Sequence, residues 1–367
     1  MSSILQRVYS EQGQSPWLDN LQRSFLADGT LQRLVNEGVR GLTSNPTIFQ
    51  KAIQGSQDYD EQFAREIQNG HSPMDAYWEL VLTDIIGALD VFRSLHDSSN
   101  GVDGFVSVEV DPSLAHHSSA TLEAARALHQ RINRPNVMIK IPATKEGLPA
   151  IQQMIAEGRS VNVTLIFSLQ RYADVMEAYL SGLEQRLSSG LDLAGIHSVA
   201  SFFISRVDNV IDGQLDAIGS EDAIALKGTA AIAQAKLAYE LFTQVFSGDR
   251  WQRLAAAGAH VQRPLWASTS TKNPSYPDTL YVDNLIGPNT VNTLPDATLA
   301  AFADHGHVAR TIDDNLQVAH QQWNSIQQLG IDVDDVALQL EREGVASFVK
   351  SFDDLLGALR DKAASLS

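Results

Sequence analysis

The chain reads as a closed α/β barrel of the (β/α)8, or TIM, type with extra helices. Eight short strand-like runs alternate with helical stretches, the signature of parallel βαβ units. The runs that carry polar residues place them on one face, near their C-terminal ends. The chain has 367 residues, 44% of them hydrophobic and 19% charged, enough to bury a large core. A length above about 300 residues also suits two domains, and a doubly wound open sheet is the alternative architecture. A single barrel domain over 1–367 is expected, with an added helical layer at about 207–262.

The strand candidates are residues 16–20, 39–45, 105–111, 137–142, 161–167, 198–204, 264–268 and 287–294. The first and last have the weakest pattern, and the first ends near Asp19. In the second, Thr43 and Asn45 share a face. In the third, Ser107, Glu109 and Asp111 oppose Val106, Val108 and Val110. In the fourth, Val137-Met138-Ile139-Lys140-Ile141-Pro142, Lys140 lies with Met138, and the β-branched residues take the other face. Asn162 and Thr164 share a face in the fifth, as do Ser201, Phe203 and Ser205 in and beyond the sixth. Ser268 lies with Trp266 in the seventh. Helical stretches are expected at 118–133, 148–157, 169–187 and 221–246. A parallel sheet is covered on both faces, so the polar faces must point into the barrel and make a polar mouth at its C-terminal rim, where barrel enzymes work.

Composition narrows the function. With no cysteine there are no disulfides, thiolate zinc sites or thiol nucleophiles. The N-terminus lacks a secretory apolar core and no run approaches 18 apolar residues, so a cytoplasmic location without membrane spans is expected. A net charge of −17 argues against nucleic acid or acidic membranes as partners, yet leaves room for a small anion held by local cations. The P-loop, dinucleotide, zincin and G-x-S-x-G signatures are missing. Histidines cluster only at His116-His117 and at His305/His307, which read as exposed loop or helix-end residues in preference to metal ligands.

Lys140 is the sharpest chemical feature. An ordinary lysine is only about one part in a thousand neutral near pH 7.4; desolvation favours the neutral amine, a nucleophile for ketones and aldehydes. An ion-paired structural lysine suits this strand equally well. Asp19 and Glu109, near the rim, are candidate general acid/bases, and Thr164, Asn45 and Asn162 can hold hydroxyls or a water. Taken singly, each is also a natural cap or structural hydrogen bond. Arg206, Lys272 and the hydroxyls of Ser268, Thr269 and Ser270 follow the sixth and seventh strands, where barrels bind phosphate. Arg206 could instead pair with Asp208 or Asp212 on its own helix.

Three segments together resemble the transaldolase family: Gly41-Leu42-Thr43-Ser44-Asn45-Pro46-Thr47, then Val137–Pro142 running into Ala143-Thr144-Lys145-Glu146-Gly147, then Val161-Asn162-Val163-Thr164-Leu165-Ile166-Phe167-Ser168. The similarity covers about residues 16–295, and Trp266-Ala267-Ser268-Thr269-Ser270-Thr271-Lys272 resembles the longer bacterial group. It implies a class I aldolase barrel in circularly permuted order, with the lysine on the fourth strand. By position, Lys140 matches the Schiff-base lysine, Asp19 the aspartate that moves the proton during carbon–carbon cleavage, and Glu109 the glutamate that works with Thr164 through a water. Asn45, Asn162, Ser201, Phe203 and Arg206 match residues that contact the substrate or its phosphate. Many transaldolases read Ala-Ser-Phe-Arg at the seventh strand; here Ser268 is kept and Lys272 stands nearest the missing arginine, a point charge in place of a fork.

The implied reaction moves a dihydroxyacetone unit from sedoheptulose 7-phosphate to glyceraldehyde 3-phosphate, giving erythrose 4-phosphate and fructose 6-phosphate in the pentose phosphate pathway. No metal or organic cofactor is implied. The expected partners are sugar phosphates, with the protein a monomer or homodimer. The alternatives are cleavage of fructose 6-phosphate to free dihydroxyacetone and a non-catalytic sugar-phosphate-binding barrel.

Overall fold

A computed structural model describes residues 2–366. Eight parallel strands close into one barrel in chain order: β1 (Gln14–Leu18), β2 (Gly41–Thr43), β3 (Phe105–Glu109), β4 (Val137–Pro142), β5 (Val161–Ile166), β6 (Ser198–Phe203), β7 (Gln262–Ala267) and β8 (Thr290–Leu294). Closure is made by β1 on β8, in register from Gln14 opposite Thr290 to Leu18 opposite Leu294. The (β/α)8 expectation is met, and Lys140 is on the fourth strand.

Several boundaries move for local reasons. β1 starts earlier than expected because the buried Gln14 amide bonds Leu285 O and Thr290 Oγ1, fixing the seam with β8. β2 ends before Asn45, which instead caps the helix Pro46–Gly55: its Oδ1 accepts the Ile48 N–H at 3.0 Å, and Pro46 supplies a preset first turn. β8 begins only at Thr290, because Asn289 is left-handed (φ 59°). β7 runs from Gln262 to Ala267, and Ser268 lies just past it, also left-handed at φ 57°. The expected helix 221–246 is two helices, Glu221–Ala225 and Ala230–Val245, because the chain turns at Gly228 with φ +73°. The helices Ser118–Ile132, Gly147–Ala156 and Leu169–Ser188 lie where expected.

Inside the barrel, side chains stack in layers drawn from alternate strands. Trp17 and Phe105 fill the lower part, with ring centroids 6.5 Å apart. Gly41 makes room for Trp17: a Cβ there would sit 2.4 Å from the indole. Above them, Asn162 of β5 donates to Ser107 of β3 at 3.0 Å and accepts from Ser201 of β6 at 2.7 Å. This bonded polar layer is the floor on which the mouth stands. The long C-terminal helix, Val333–Leu366, returns across the top and is tied to the helix Pro46–Gly55 by Thr47 Oγ1 and Ser351 Oγ at 2.8 Å.

Candidate active site

The C-terminal mouth holds a cavity of about 370 Å3. Asp19, Asn45, Lys140, Thr164, Ser201, Phe203, Arg206, Ser268 and Lys272 line it. Nine of the eleven residues expected from sequence therefore meet in one space. The other two, Glu109 and Asn162, lie outside its lining: Asn162 is fully buried within the bonded floor, so its amide is committed to Ser107 and Ser201.

Lys140 points inward because its register partners on both sides, Glu109 of β3 and Asn162 of β5, share the interior face. Its ammonium donates to Ser44 O at 2.9 Å and lies 3.3 Å from Glu109 Oε2, with both side chains almost wholly buried. That carbonyl is itself fixed, since Ser44 N and Oγ both bond Ser107 O. Neither Glu109 oxygen is in hydrogen-bond geometry with a described residue, and neither is Thr164 Oγ1. Unfilled capacity of this kind is rare in a packed interior and is expected where a substrate or water is handled. Burial pushes the Glu109 pKa up, against the pull of Lys140, so its carboxyl can both take and return a proton.

Asp19 stands one residue past β1, its N–H bonded to Leu294 O at 2.9 Å. Its pKa is also raised by burial, with Lys140, Lys272 and Arg206 acting in the opposite direction. Next to Thr164 the β5 backbone is irregular: the pairing with β6 shifts between Val163 and Ile166, and Leu165 adopts φ 62°. A left-handed bulky residue costs energy, and such strain collects at functional sites.

On the opposite wall, Arg206 opens the helix Ser205–Ile218 and its guanidinium lies 5.3 Å from the centre of the Phe203 ring. The alternative pairing within its own helix is not made. Asp208 and Asp212 spend both oxygens on other donors. Lys272 donates to Ser270 Oγ at 2.5 Å, and burial together with Arg206 lowers its pKa. Lys51 joins them on the lining, and none of these three cations is ion-paired among the described residues. In a chain of net charge −17, a wall with three cations that lack an ion-pair partner is suited to an anion.

Sequence reasoning missed Lys51, Ser347 and Phe348 on this lining. Lys51 had an available signal, since the capping motif at Asn45-Pro46 puts it in the second turn of a rim helix. Ser347 and Phe348 had none, because only tertiary packing brings the C-terminal helix over the mouth. Among the described residues no group of three or more His, Asp or Glu is placed to hold a metal ion. His116 faces Glu146, and His305 faces Asp278 and Asp304, all on the surface.

A closed parallel barrel whose interior lysine stands beside a carboxylate at the C-terminal mouth defines a class, the (β/α)8 barrels of the class I aldolase type. Comparison with known proteins narrows it. The family described as Transaldolase/Fructose-6-phosphate aldolase matches residues 16–359, and the chain belongs to it. It is 52% identical to Transaldolase 1 of Streptomyces avermitilis, over 97% of this chain and 96% of that one. It is 49% identical to the Transaldolase of Thermobifida fusca over the full length of both, and 52% identical to that of a Parafrankia species over 97% of each chain.

Proposed function

We propose that the chain is a transaldolase, a transferase acting through a Schiff base on Lys140, within one barrel domain that includes the inserted helices. The Lys140–Glu109 contact of 3.3 Å, buried at the base of a mouth with a cationic wall, is the observation that carries this reading. Lys140 passes its ammonium proton to Glu109, and the freed amine attacks the C2 carbonyl of sedoheptulose 7-phosphate to give a carbinolamine. Glu109, through a water also held by Thr164, delivers the proton with which hydroxide leaves, and the iminium forms. Asp19 takes the C4 hydroxyl proton, the C3–C4 bond breaks, and its electron pair passes into the iminium to give an enamine. Erythrose 4-phosphate leaves. The enamine carbon attacks the aldehyde of glyceraldehyde 3-phosphate, Asp19 returns its proton to the new alkoxide, and hydrolysis frees fructose 6-phosphate and Lys140. The iminium serves as the electron sink, so the sequence of steps balances without a cofactor.

Asn45 keeps its amide N–H groups free for sugar oxygens while Oδ1 caps its helix. Ser201 and Phe203 shape the inner wall, and Ser268, Arg206 and Lys272 receive the phosphate. Asn162 acts from beneath, holding Ser201. The substrates are sugar phosphates, and no helix among the described residues is long and apolar enough to cross a membrane. A cytoplasmic location in the pentose phosphate pathway fits this reading.

Borohydride reduction in the presence of donor ketose tests it. A mass adduct on Lys140, together with product formation only when an aldose acceptor is supplied, is the expected result. No adduct, or one on another lysine, refutes the assignment; release of free dihydroxyacetone without acceptor replaces transfer by simple cleavage.

A further inference from the structure

Arg206 and Lys272 reach the mouth from different elements, so their spacing is not fixed by the barrel ladder. Arg206 rides on the helix Ser205–Ile218, while Lys272 lies in a segment between β7 and the short helix Leu280–Asn284 that has no strand or helix of its own. The start of that segment is held by Thr269 Oγ1, bonded to Asn292 Oδ1 and Thr293 O. Its far half is held differently. Asp208 and Asp212, one turn apart on the Arg206 helix, are both buried and neither has a cation partner among the described residues. Each divides its oxygens in the same way. Asp208 accepts from the Ala231 N–H at 2.7 Å and the Tyr281 hydroxyl at 2.8 Å. Asp212 accepts from the Gly228 N–H at 2.9 Å and the Tyr276 hydroxyl at 2.6 Å.

Asp212 thus joins the Arg206 helix and the inserted helical layer to the Lys272 loop itself, and Asp208 joins the same two to the short helix in which that loop ends. Gly228 completes the fit, because a Cβ there would lie 2.8 Å from the Tyr276 ring. Buried carboxylates without a cation are costly, and burial raises the Asp208 pKa to about 6, so the arrangement is not one that packing alone favours.

We propose that Asp208 and Asp212, with Tyr281 and Tyr276, form a clamp that sets the distance between Arg206 and Lys272 and thereby the affinity of the mouth for a phosphate group. These are positioning residues, and the proposal rests on the reading above that the two cations receive the substrate phosphate. The inserted helices that follow Ile218 then have a function: they supply the backbone donors and the glycine turn that hold the clamp shut.

The test uses the full chain and inorganic phosphate as the probe, titrated by calorimetry into the wild type, Tyr276→Phe, Lys272→Ala and the double variant. Tyr276→Phe removes one charge-assisted hydrogen bond and keeps the ring, and is expected to weaken phosphate binding about tenfold. It should weaken it no further once Lys272 is alanine. With donor ketose, its KM should rise by a similar factor while kcat stays within about twofold, a split that loss of uniform binding produces and general loosening does not. Unchanged phosphate affinity in Tyr276→Phe overturns the clamp, as does an undiminished effect in the Lys272→Ala background. A wild type that binds no phosphate overturns it too, and a Lys140 borohydride adduct would then leave the Schiff-base reading standing without it.

Discussion

The two ends of the barrel bury the same kinds of charge and treat them in opposite ways. At the lower, N-terminal end, Asp103 is fully buried and saturated: Arg40 Nε lies 2.6 Å from one oxygen, and two nitrogens of Arg263 lie 3.2 and 3.3 Å from the other. Arg263 also bonds Ser15 Oγ and Val102 O, and the Arg40 guanidinium lies 3.4 Å from the Tyr9 ring centre. At the upper end, Glu109 has one cation at 3.3 Å and two oxygens with no hydrogen bond, beside an equally unsatisfied Thr164 hydroxyl. A buried carboxylate with both oxygens bonded is a plug that closes the barrel; one with both left over is a place where chemistry can happen.

Substitutions at the two ends should therefore fail in different ways. Lys140→Met is expected to lower turnover by about 10⁴-fold or more and to abolish borohydride labelling, with circular dichroism unchanged. Asp103→Ala leaves the buried Arg263 and the partly buried Arg40 without their carboxylate and should cost about 3–5 kcal/mol in urea unfolding, with kcat per folded molecule near that of the wild type. Glu109→Gln is its mirror image: kcat should fall about 10²–10³-fold with a much smaller change in unfolding midpoint. If Asp103→Ala lowered kcat as far as Glu109→Gln does, the division between the ends would fail.

Smaller effects sharpen the contrast. Gly41→Ala drives a methyl into the Trp17 ring beneath the site and should cost about 1–3 kcal/mol, read as an earlier urea midpoint. Asp19→Asn should act through pH. The folded-state pKa of Asp19 is raised, so the unfolded chain loses this proton first, and stability falls as pH climbs from the ordinary carboxylate range through the folded value. The asparagine variant escapes that loss. Its melting temperature should exceed that of the wild type at pH 7, and the gap should close below about pH 4, where the aspartate is protonated in both states.

Much of the site was legible in the residues themselves. Period-two alternation in Val137–Pro142 put Lys140 on an interior face, and the same pattern placed Glu109 and Thr164 near the rim. The boundary of β2 was less legible, because Asn45 serves equally as a strand end or a helix cap and only the Ile48 hydrogen bond decides. Arg206 had two plausible destinations, and the tyrosines that occupy Asp208 and Asp212 are remote in sequence.

The sequence by itself determined the alternation of strands and helices, the inward polar face of β3 to β6 and the interior lysine of β4, since these follow from local backbone periodicity and side-chain type, whereas in β7 Leu265 and Ala267 face the mouth in place of Trp266. Tertiary structure alone decided that Glu109 stands 3.3 Å from Lys140, that the C-terminal helix brings Ser347 and Phe348 to the mouth, and that Asp103 gathers two arginines at the other end. Those contacts join residues from separate elements through strand register and packing, and no local pattern encodes the distance between them.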